Sequence, residues 1–100
     1  MPTAICFIEK MREQKPVKDS NDEWESGNWV VKPEKAESLI GKRIYFHEKQ
    51  KEPSYSGGII KAFHDSNIPD RIVFTYIPDN EGIGYLAGSE NWGVEQKTIP

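Results

Sequence analysis

Residues 71–77, with the sequence Arg-Ile-Val-Phe-Thr-Tyr-Ile, constrain the fold of this chain more than any other segment. β-Branched and aromatic residues fill every position after Arg71. Such side chains pack well on a pleated surface and lose rotamer freedom in a helix, so the segment predicts a β-strand. Because a lone strand leaves its backbone hydrogen-bonding groups unpaired, the rest of the chain must supply a sheet.

Other segments with strand composition lie between turn residues along the chain. Residues 3–9 are apolar at nearly every position, which predicts a strand buried on both faces. In residues 42–48, alternation places Ile44 and Phe46 on one face of a strand. The predicted strands are residues 3–9, 27–32, 42–48, 58–64 and 71–77, with a sixth candidate at 94–99.

One short helix is predicted between the second and third strands. Pro33 fits the first helical position, where its preset φ angle and missing N–H cost nothing, and Gly41 fits the C-terminal end. A helix of about two turns is not stable alone, so its apolar residues Ala36 and Leu39 must dock on the sheet. We therefore expect a mainly β (α+β) fold, a small, partly closed β-barrel of five to six strands with one short helix at one end.

The length of 100 residues allows one domain, residues 1–100, with a core that needs no metal or disulfide. Residues 10–24 lose all apolar periodicity and are predicted to be a long loop or a mobile excursion. The lone Cys6 excludes an intramolecular disulfide framework. Since no apolar run approaches the ~18 residues of a membrane span and no signal-peptide pattern is present, we expect a cytoplasmic protein without a membrane partner.

The charges of the chain are unevenly distributed. A net charge of −3 argues against a protein that coats nucleic acid by bulk electrostatics. Basic residues concentrate in 10–18 and 42–51, whereas acidic residues concentrate in 19–25 and 79–95. Such runs are typical of solvated faces. If the two basic segments meet in space, they form a patch suited to a phosphate or a single-stranded nucleic acid.

The loop at residues 52–58, Glu-Pro-Ser-Tyr-Ser-Gly-Gly, is the strongest candidate for ligand contact. Ser54 and Ser56 carry hydroxyls, Tyr55 carries an aromatic ring, and the two glycines let backbone N–H groups approach a ligand closely. Lys49, just before the loop, offers a positive charge to an anionic group such as phosphate. The alternative is a hairpin connection with a packed tyrosine, and the Gly-Lys-Ser/Thr ending of a phosphate-binding loop is absent from the sequence.

Trp29 and His47 complete the predicted ligand-binding set. Trp29, in a strand, belongs either to the core or to the wall of a pocket. His47 stands at a strand end, where it is either a partly exposed terminal residue or a general acid–base group. The spacing of His47 and His64 does not favour a metal site. The sequence nominates no catalytic residue, cofactor or metal, and the predicted ligand-binding residues are Trp29, His47, Lys49, Ser54, Tyr55 and Ser56.

The middle of the chain, residues 27–77, resembles the PUA-like superfamily and in particular its EVE, YTH and ASCH branches. In these branches a Trp-bearing strand leads through a helix to an aromatic strand and then to a Gly-Gly strand. The same order is found here in Gly-Asn-Trp-Val-Val-Lys at 27–32, Leu-Ile-Gly-Lys-Arg-Ile-Tyr-Phe-His at 39–47 and Ser-Gly-Gly-Ile-Ile-Lys-Ala-Phe at 56–63.

The resemblance implies a β-barrel with a concave pocket, often used to hold a flipped or modified nucleobase between aromatic rings. It implies that Trp29, Tyr55 and either Ser54 or Ser56 lie at that pocket. The chain departs from the family in two respects: the Asn-Tyr-x-Ala-Arg-Asn pattern of the EVE branch and a basic cleft are both absent from the sequence. These departures weaken the expectation of nucleic-acid binding more than that of the fold.

Three functions are compatible with this sequence. The leading hypothesis is a non-enzymatic binding module, for nucleotides or RNA, that holds a nucleobase, nucleotide or modified base in an aromatic pocket. The alternative is a protein-interaction adaptor or inhibitor of bacterial or phage origin, with acidic loops and exposed Trp24 and Trp92 as its contact surface. The third is a small ASCH-like hydrolase in which His47, Glu48 or Lys42 acts.

Overall fold

Within residues 2–100, which this computed structural model describes, there are seven β-strands, one α-helix and one short 3₁₀-helix. In chain order they are β1 (Ala4–Ile8), β2 (Lys15–Pro16), β3 (Trp24–Trp29), α1 (Pro33–Ser38), β4 (Arg43–His47), β5 (Ser56–Asp65), β6 (Ile72–Pro78), the 3₁₀-helix (Asn80–Gly82) and β7 (Gln96–Ile99). The strands form one mixed sheet with the order β2-β3-β6-β5-β4-β1-β7. β1 and β4 are parallel neighbours, and the other five neighbouring pairs are antiparallel.

The predicted class, mainly β (α+β) with one short helix, is confirmed. The described strands number seven rather than five to six, because residues 10–24 contain β2, in which Lys15 pairs with Glu25 of β3. β3 begins at Trp24 rather than at residue 27, since the pairing of Trp24 with Tyr76 extends it towards the N-terminus. No helix among residues 2–100 is long and apolar enough to span a bilayer.

The sheet curls strongly but is not closed into a barrel. Phe7 in β1 stacks on Trp29 in β3 with ring centroids 4.1 Å apart, although β4, β5 and β6 lie between the two strands in the sheet. A register irregularity in the middle of the long strand β5 allows this bend. In the described part of the chain no strand ladder joins β3 to β1 or β7, and the Gln96 side-chain amide reaches across to the Val30 carbonyl at 2.9 Å. We call this gap between β3 and the β1–β7 pair the seam.

Two groups of buried side chains lie on opposite faces of the sheet. The inner core fills the curl and includes Phe7 and Phe46, together with Ala36 and Leu39 of α1, so the helix docks as predicted. The outer cluster lies on the other face of β1 and β4, beneath side chains from residues 85–92. β1 is therefore buried on both faces, as its sequence predicts. The members of the outer cluster are Ala4, Cys6 and Tyr45, with the partly buried Tyr85, Ala87, Trp92 and Ile99 packed against them.

Candidate functional site

A cleft of about 410 Å³ opens at the seam, and this volume lies within the range of sites for small organic ligands. One side of the cleft consists of residues 8–11, at the C-terminal end of β1. The other side consists of residues 27–29 of β3, and Glu95 adjoins both. The cleft exists because the two ends of the curled sheet meet through the Phe7–Trp29 stack and not through a strand ladder.

Trp29 is the aromatic residue of the seam cleft. Its ring stacks on Phe7, and its indole N–H donates a hydrogen bond of 3.0 Å to the Ser26 hydroxyl. The residue is only 6% exposed. Trp29 therefore belongs to the core, and it also borders the cleft. Its ring is fixed by Phe7 and Ser26, and only a small part of the residue reaches the cleft.

Tyr55 holds the opposite side of the cleft in place. Its hydroxyl donates to the Glu9 carbonyl at 2.7 Å and accepts from the Gln14 side-chain amide at 2.9 Å. The Arg12 guanidinium lies 4.4 Å from the Tyr55 ring centroid and pairs with Glu48 at 2.6 Å. Burial raises the pKa of Tyr55 to about 12. Tyr55 thus supports the segment that lines the cleft, and its own ring is covered by Arg12.

Met11 and Asn28 provide the adaptable and polar groups of the cleft. Met11 is 75% exposed, and its backbone N–H donates to a Glu9 carboxylate oxygen at 2.9 Å. The Asn28 side-chain oxygen accepts a hydrogen bond from the Ser66 hydroxyl. The Asn28 backbone carbonyl accepts one from the Arg71 guanidinium at 3.2 Å. A flexible thioether and an oriented amide suit a planar ligand with polar edges.

The predicted ligand-binding residues are divided between the two faces of the sheet. Trp29 and Tyr55 pack in or against the inner core. Ser56 lies on the same side, where its side chain forms a hydrogen bond with that of Tyr76. Lys49 is exposed on the surface after β4. His47 and Ser54 contact residues of the outer cluster instead, on the other face.

His47 is fully buried rather than partly exposed. Side chains alternate along β4, so His47 faces the side opposite Phe46 and makes an edge contact with Trp92, with ring centroids 5.7 Å apart. Its Nδ1 lies 2.9 Å from the Glu52 carbonyl, which fixes Nδ1 as the donor, and Nε2 has no hydrogen-bond partner in residues 2–100. Burial lowers the pKa of His47, which therefore stays neutral at pH 7. Because the His47 imidazole is fully buried, a substrate cannot reach it in this conformation.

Ser54 and the two glycines of the predicted ligand-binding loop are used by the chain itself. The Ser54 hydroxyl donates to the Gly82 carbonyl at 2.7 Å and accepts from the Tyr85 N–H at 3.0 Å. A Cβ atom on Gly57 would collide with the backbone of Ile44, and one on Gly58 would collide with that of Ile77. The close approach that these glycines permit is thus an approach of neighbouring strands, and the space expected for a ligand is filled by the protein.

The other reactive side chains do not form a chemical centre. Within the described residues, no group of three or more His, Cys, Asp or Glu side chains is arranged to hold a metal ion. His64 lies 3.8 Å from a Glu25 carboxylate oxygen on the exposed face of the sheet. Burial raises the pKa of the Cys6 thiol to about 12, which keeps it protonated and a poor nucleophile.

A second concavity, of about 480 Å³, lies between the end of β3, the start of α1 and the turn between β5 and β6. Its floor contains the buried Val31 and Ile72. Val30 and Ile68 line it as well, and they are 58% and 48% exposed. We call it the Val30–Ile68 groove. The groove was not predicted from the sequence, although each of the two segments that form it has an apolar residue close to a proline.

Comparison of the chain with family models, with curated proteins and with solved structures finds no match.

Proposed function

We propose that this protein is a non-enzymatic binding module that holds a nucleobase-sized planar ligand in the seam cleft. One observation carries the proposal: Trp29, fixed by Phe7 and Ser26, borders a cleft of about 410 Å³. Stacking of a base on an exposed aromatic side chain contributes about 1–3 kcal/mol. Met11, which also lines the cleft, offers a flexible side chain to such a ligand. The ligand class comprises nucleobases, nucleotides and modified bases, free or within single-stranded RNA.

Membership of the PUA-like superfamily is part of this proposal. The order β3, α1, β4, β5 supports it, because that family places a Trp-bearing strand, a helix, an aromatic strand and a Gly-Gly strand in the same sequence. The position of the cleft beside the Trp-bearing strand also supports it. The pocket proposed here differs from the expected one in its second aromatic residue, since the ring of Tyr55 is covered by Arg12.

Tryptophan fluorescence tests the proposal directly. A double variant, Trp24→Phe with Trp92→Phe, leaves Trp29 as the single tryptophan of the chain. Titration with a panel of nucleobases, nucleosides and nucleotides is expected to quench its emission, because a base bound in the cleft lies next to the exposed part of Trp29. A panel that changes neither the emission nor the thermal unfolding temperature would refute the proposal.

The choice of site variants follows from burial. Trp29→Ala would remove a side chain that is only 6% exposed and stacked in the core, so loss of binding could then reflect loss of the fold. Met11→Ala changes an exposed residue of the cleft and is expected to weaken binding about two- to tenfold. Leu86→Ala, at a residue that is 66% exposed and lies outside the cleft, is the matched control and is expected to leave affinity unchanged.

A protein-interaction function is the second candidate, and the Val30–Ile68 groove is the observation that favours it. An apolar floor with two large exposed apolar residues beside it is typical of a contact surface for another protein. Trp24, which is 37% exposed, adds a further apolar side chain to the surface. On this alternative the protein is an adaptor or an inhibitor, and it needs no small ligand.

Chemical crosslinking in a lysate separates this candidate from the first. The double variant Val30→Ser, Ile68→Ser is expected to lose a crosslinked partner that the parent chain captures. Ile40→Ser, at an apolar residue that is 43% exposed and lies outside the groove, should keep it. Equal capture by all three chains would remove the groove from consideration.

A further inference from the structure

We infer that the seam cleft selects an unphosphorylated planar base, neutral or positively charged, and discriminates against the same base carrying a phosphate. This inference rests on the proposed function and specifies the ligand class of that site. It follows from the charges that surround the cleft and from how each of them is held.

Two acidic residues line the cleft from different parts of the chain. Glu9 follows β1, and one of its carboxylate oxygens accepts from the Met11 N–H at 2.9 Å, which fixes the group beside the cleft. Glu95 precedes β7, and its backbone is held against β1 because its carbonyl accepts from the Ile8 N–H at 2.8 Å. Neither carboxylate forms an ion pair in the described residues. Both negative charges therefore remain available to act on a ligand.

The positive charges nearby are largely engaged elsewhere. Lys10 is the one basic residue among 2–100 that lines the cleft. Arg12, two positions further along, is bound to Glu48 at 2.6 Å and stacked on Tyr55. In β7, the Lys97 ammonium group donates to the Ala87 carbonyl beside the outer cluster, away from the seam. Among the residues that line the cleft itself, a phosphate would thus meet one lysine and two acidic residues, while the nearby Arg71 donates to the Asn28 backbone carbonyl.

The same arrangement explains why the two basic segments of the sequence do not form a phosphate site. Segments 10–18 and 42–51 do meet in space, through Arg12 and Glu48, but the contact is an ion pair that cancels one charge of each sign. Lys49, the residue expected to meet a phosphate, is exposed and does not line the cleft. Like charges at short range disfavour an anion, whereas a cationic ring is attracted by the two acidic residues that line the cleft.

A set of three matched ligands tests the inference: adenosine, adenosine 5′-monophosphate and 1-methyladenosine, whose ring is positively charged at neutral pH. Binding is measured by calorimetry and by Trp29 quenching in the single-tryptophan variant. Adenosine is expected to bind about tenfold more tightly than its monophosphate, and 1-methyladenosine at least as tightly as adenosine. Glu95→Gln is expected to reduce the ratio of the affinity for adenosine to the affinity for its monophosphate about threefold. Glu90→Gln, which changes an exposed acidic residue outside the cleft, should leave this ratio unchanged.

The outcomes separate this inference from the function on which it rests. A monophosphate that binds as tightly as adenosine, or more tightly, overturns the charge selection and leaves the binding function standing. A ratio that Glu95→Gln and Glu90→Gln change equally also overturns it, since the selection would then arise from the net charge of the chain. Absence of binding by all three ligands refutes the proposed function and this inference together.

Discussion

The two halves of the sheet differ in what covers them. β1 and β4 are covered on both faces, by the inner core and by the outer cluster. The outer face of β3, β6 and β5 instead carries Glu25, Thr75 and His64, which are half-buried or exposed. Both halves contribute buried side chains to the inner core, but only the β1–β4 half is covered on its outer face, whereas the outer face of β3, β6 and β5 is a solvated surface. The seam cleft lies where the two halves meet, so its aromatic side is rigid while its rim is open to a ligand.

Phe7→Ala should have the largest effect on stability. Phe7 is fully buried and its ring packs against those of Trp29, Phe46 and Phe74. Loss of a buried aromatic side chain leaves a cavity, and we expect the free energy of unfolding to fall by about 3–5 kcal/mol. Phe63→Ala, at a partly buried position of β5, is expected to cost roughly half as much or less. If Phe7→Ala and Phe63→Ala lost the same free energy of unfolding in urea, the difference in cover between the two halves would be contradicted.

Gly82→Ala tests how the cover of the outer cluster is attached. Gly82 packs directly on the backbone of Gly57, and an added Cβ atom would collide with it. Because backbone cannot move aside cheaply, we expect a loss of about 1–3 kcal/mol. Gly93→Ala is the matched control, since its added Cβ would lie 3.4 Å from the nearest atom, the Gln96 carbonyl oxygen. If the control destabilises as much as Gly82→Ala, close packing at Gly57 is not the cause.

Acid should destabilise the covered half through His47. Burial lowers the pKa of His47 in the folded chain below the ordinary 6.5, so the unfolded chain takes up the proton first as pH falls. The contribution of neutral His47 to the free energy of unfolding is complete above pH 6.5. It is lost as the pH falls through the pKa that His47 has in the folded chain.

The urea midpoint of the parent chain is therefore expected to fall between pH 7.5 and pH 5, and the fall should be smaller in His47→Gln. His64→Gln, at an exposed position on the solvated outer face, serves as the control. Its urea midpoint should fall as much as that of the parent chain. A parent and a His47→Gln variant with the same pH dependence would contradict this role for His47.

Glu25→Gln should have the smallest effect. Glu25 lies 4.0 Å from the Lys15 ammonium group and 3.8 Å from His64, on the uncovered face. Ion pairs of this kind contribute little in water, so we expect a change in unfolding free energy of less than about 1 kcal/mol. A loss as large as that of Phe7→Ala would mean that the solvated half also carries the stability of the fold.

Local sequence signals predicted much of this fold. The apolar run of β1 predicted burial on both faces, and Pro33 with Gly41 predicted α1. β5 and β6 were also predicted close to their observed ranges, because β-branched and aromatic residues mark them. β2 and the first half of β3 were missed, since their residues show no alternation of apolar and polar side chains and are held in the sheet by pairing with distant strands.

The candidate site was predictable residue by residue but not as an arrangement. Alternation along β4 already placed His47 on the face opposite Phe46, yet only the curl of the sheet decides that Trp29 joins the side of Phe46. The two glycines of the 52–58 loop had a local signal for close approach, and what approaches them is set by the strand order. The seam depends on which strands fail to meet, and no local pattern encodes that.

Chemical-shift mapping of the amide signals during titration with adenosine tests the central claim most directly. If the seam cleft is the binding site, shifts should be confined to residues 8–11 and 27–29 and to Glu95, with Gln14 and Tyr55 affected next. Residues of the outer cluster and of the Val30–Ile68 groove should stay unchanged apart from Val30, which adjoins Trp29. Shifts centred on Ile68 and Ile72, or on His47 and Trp92, would contradict the account.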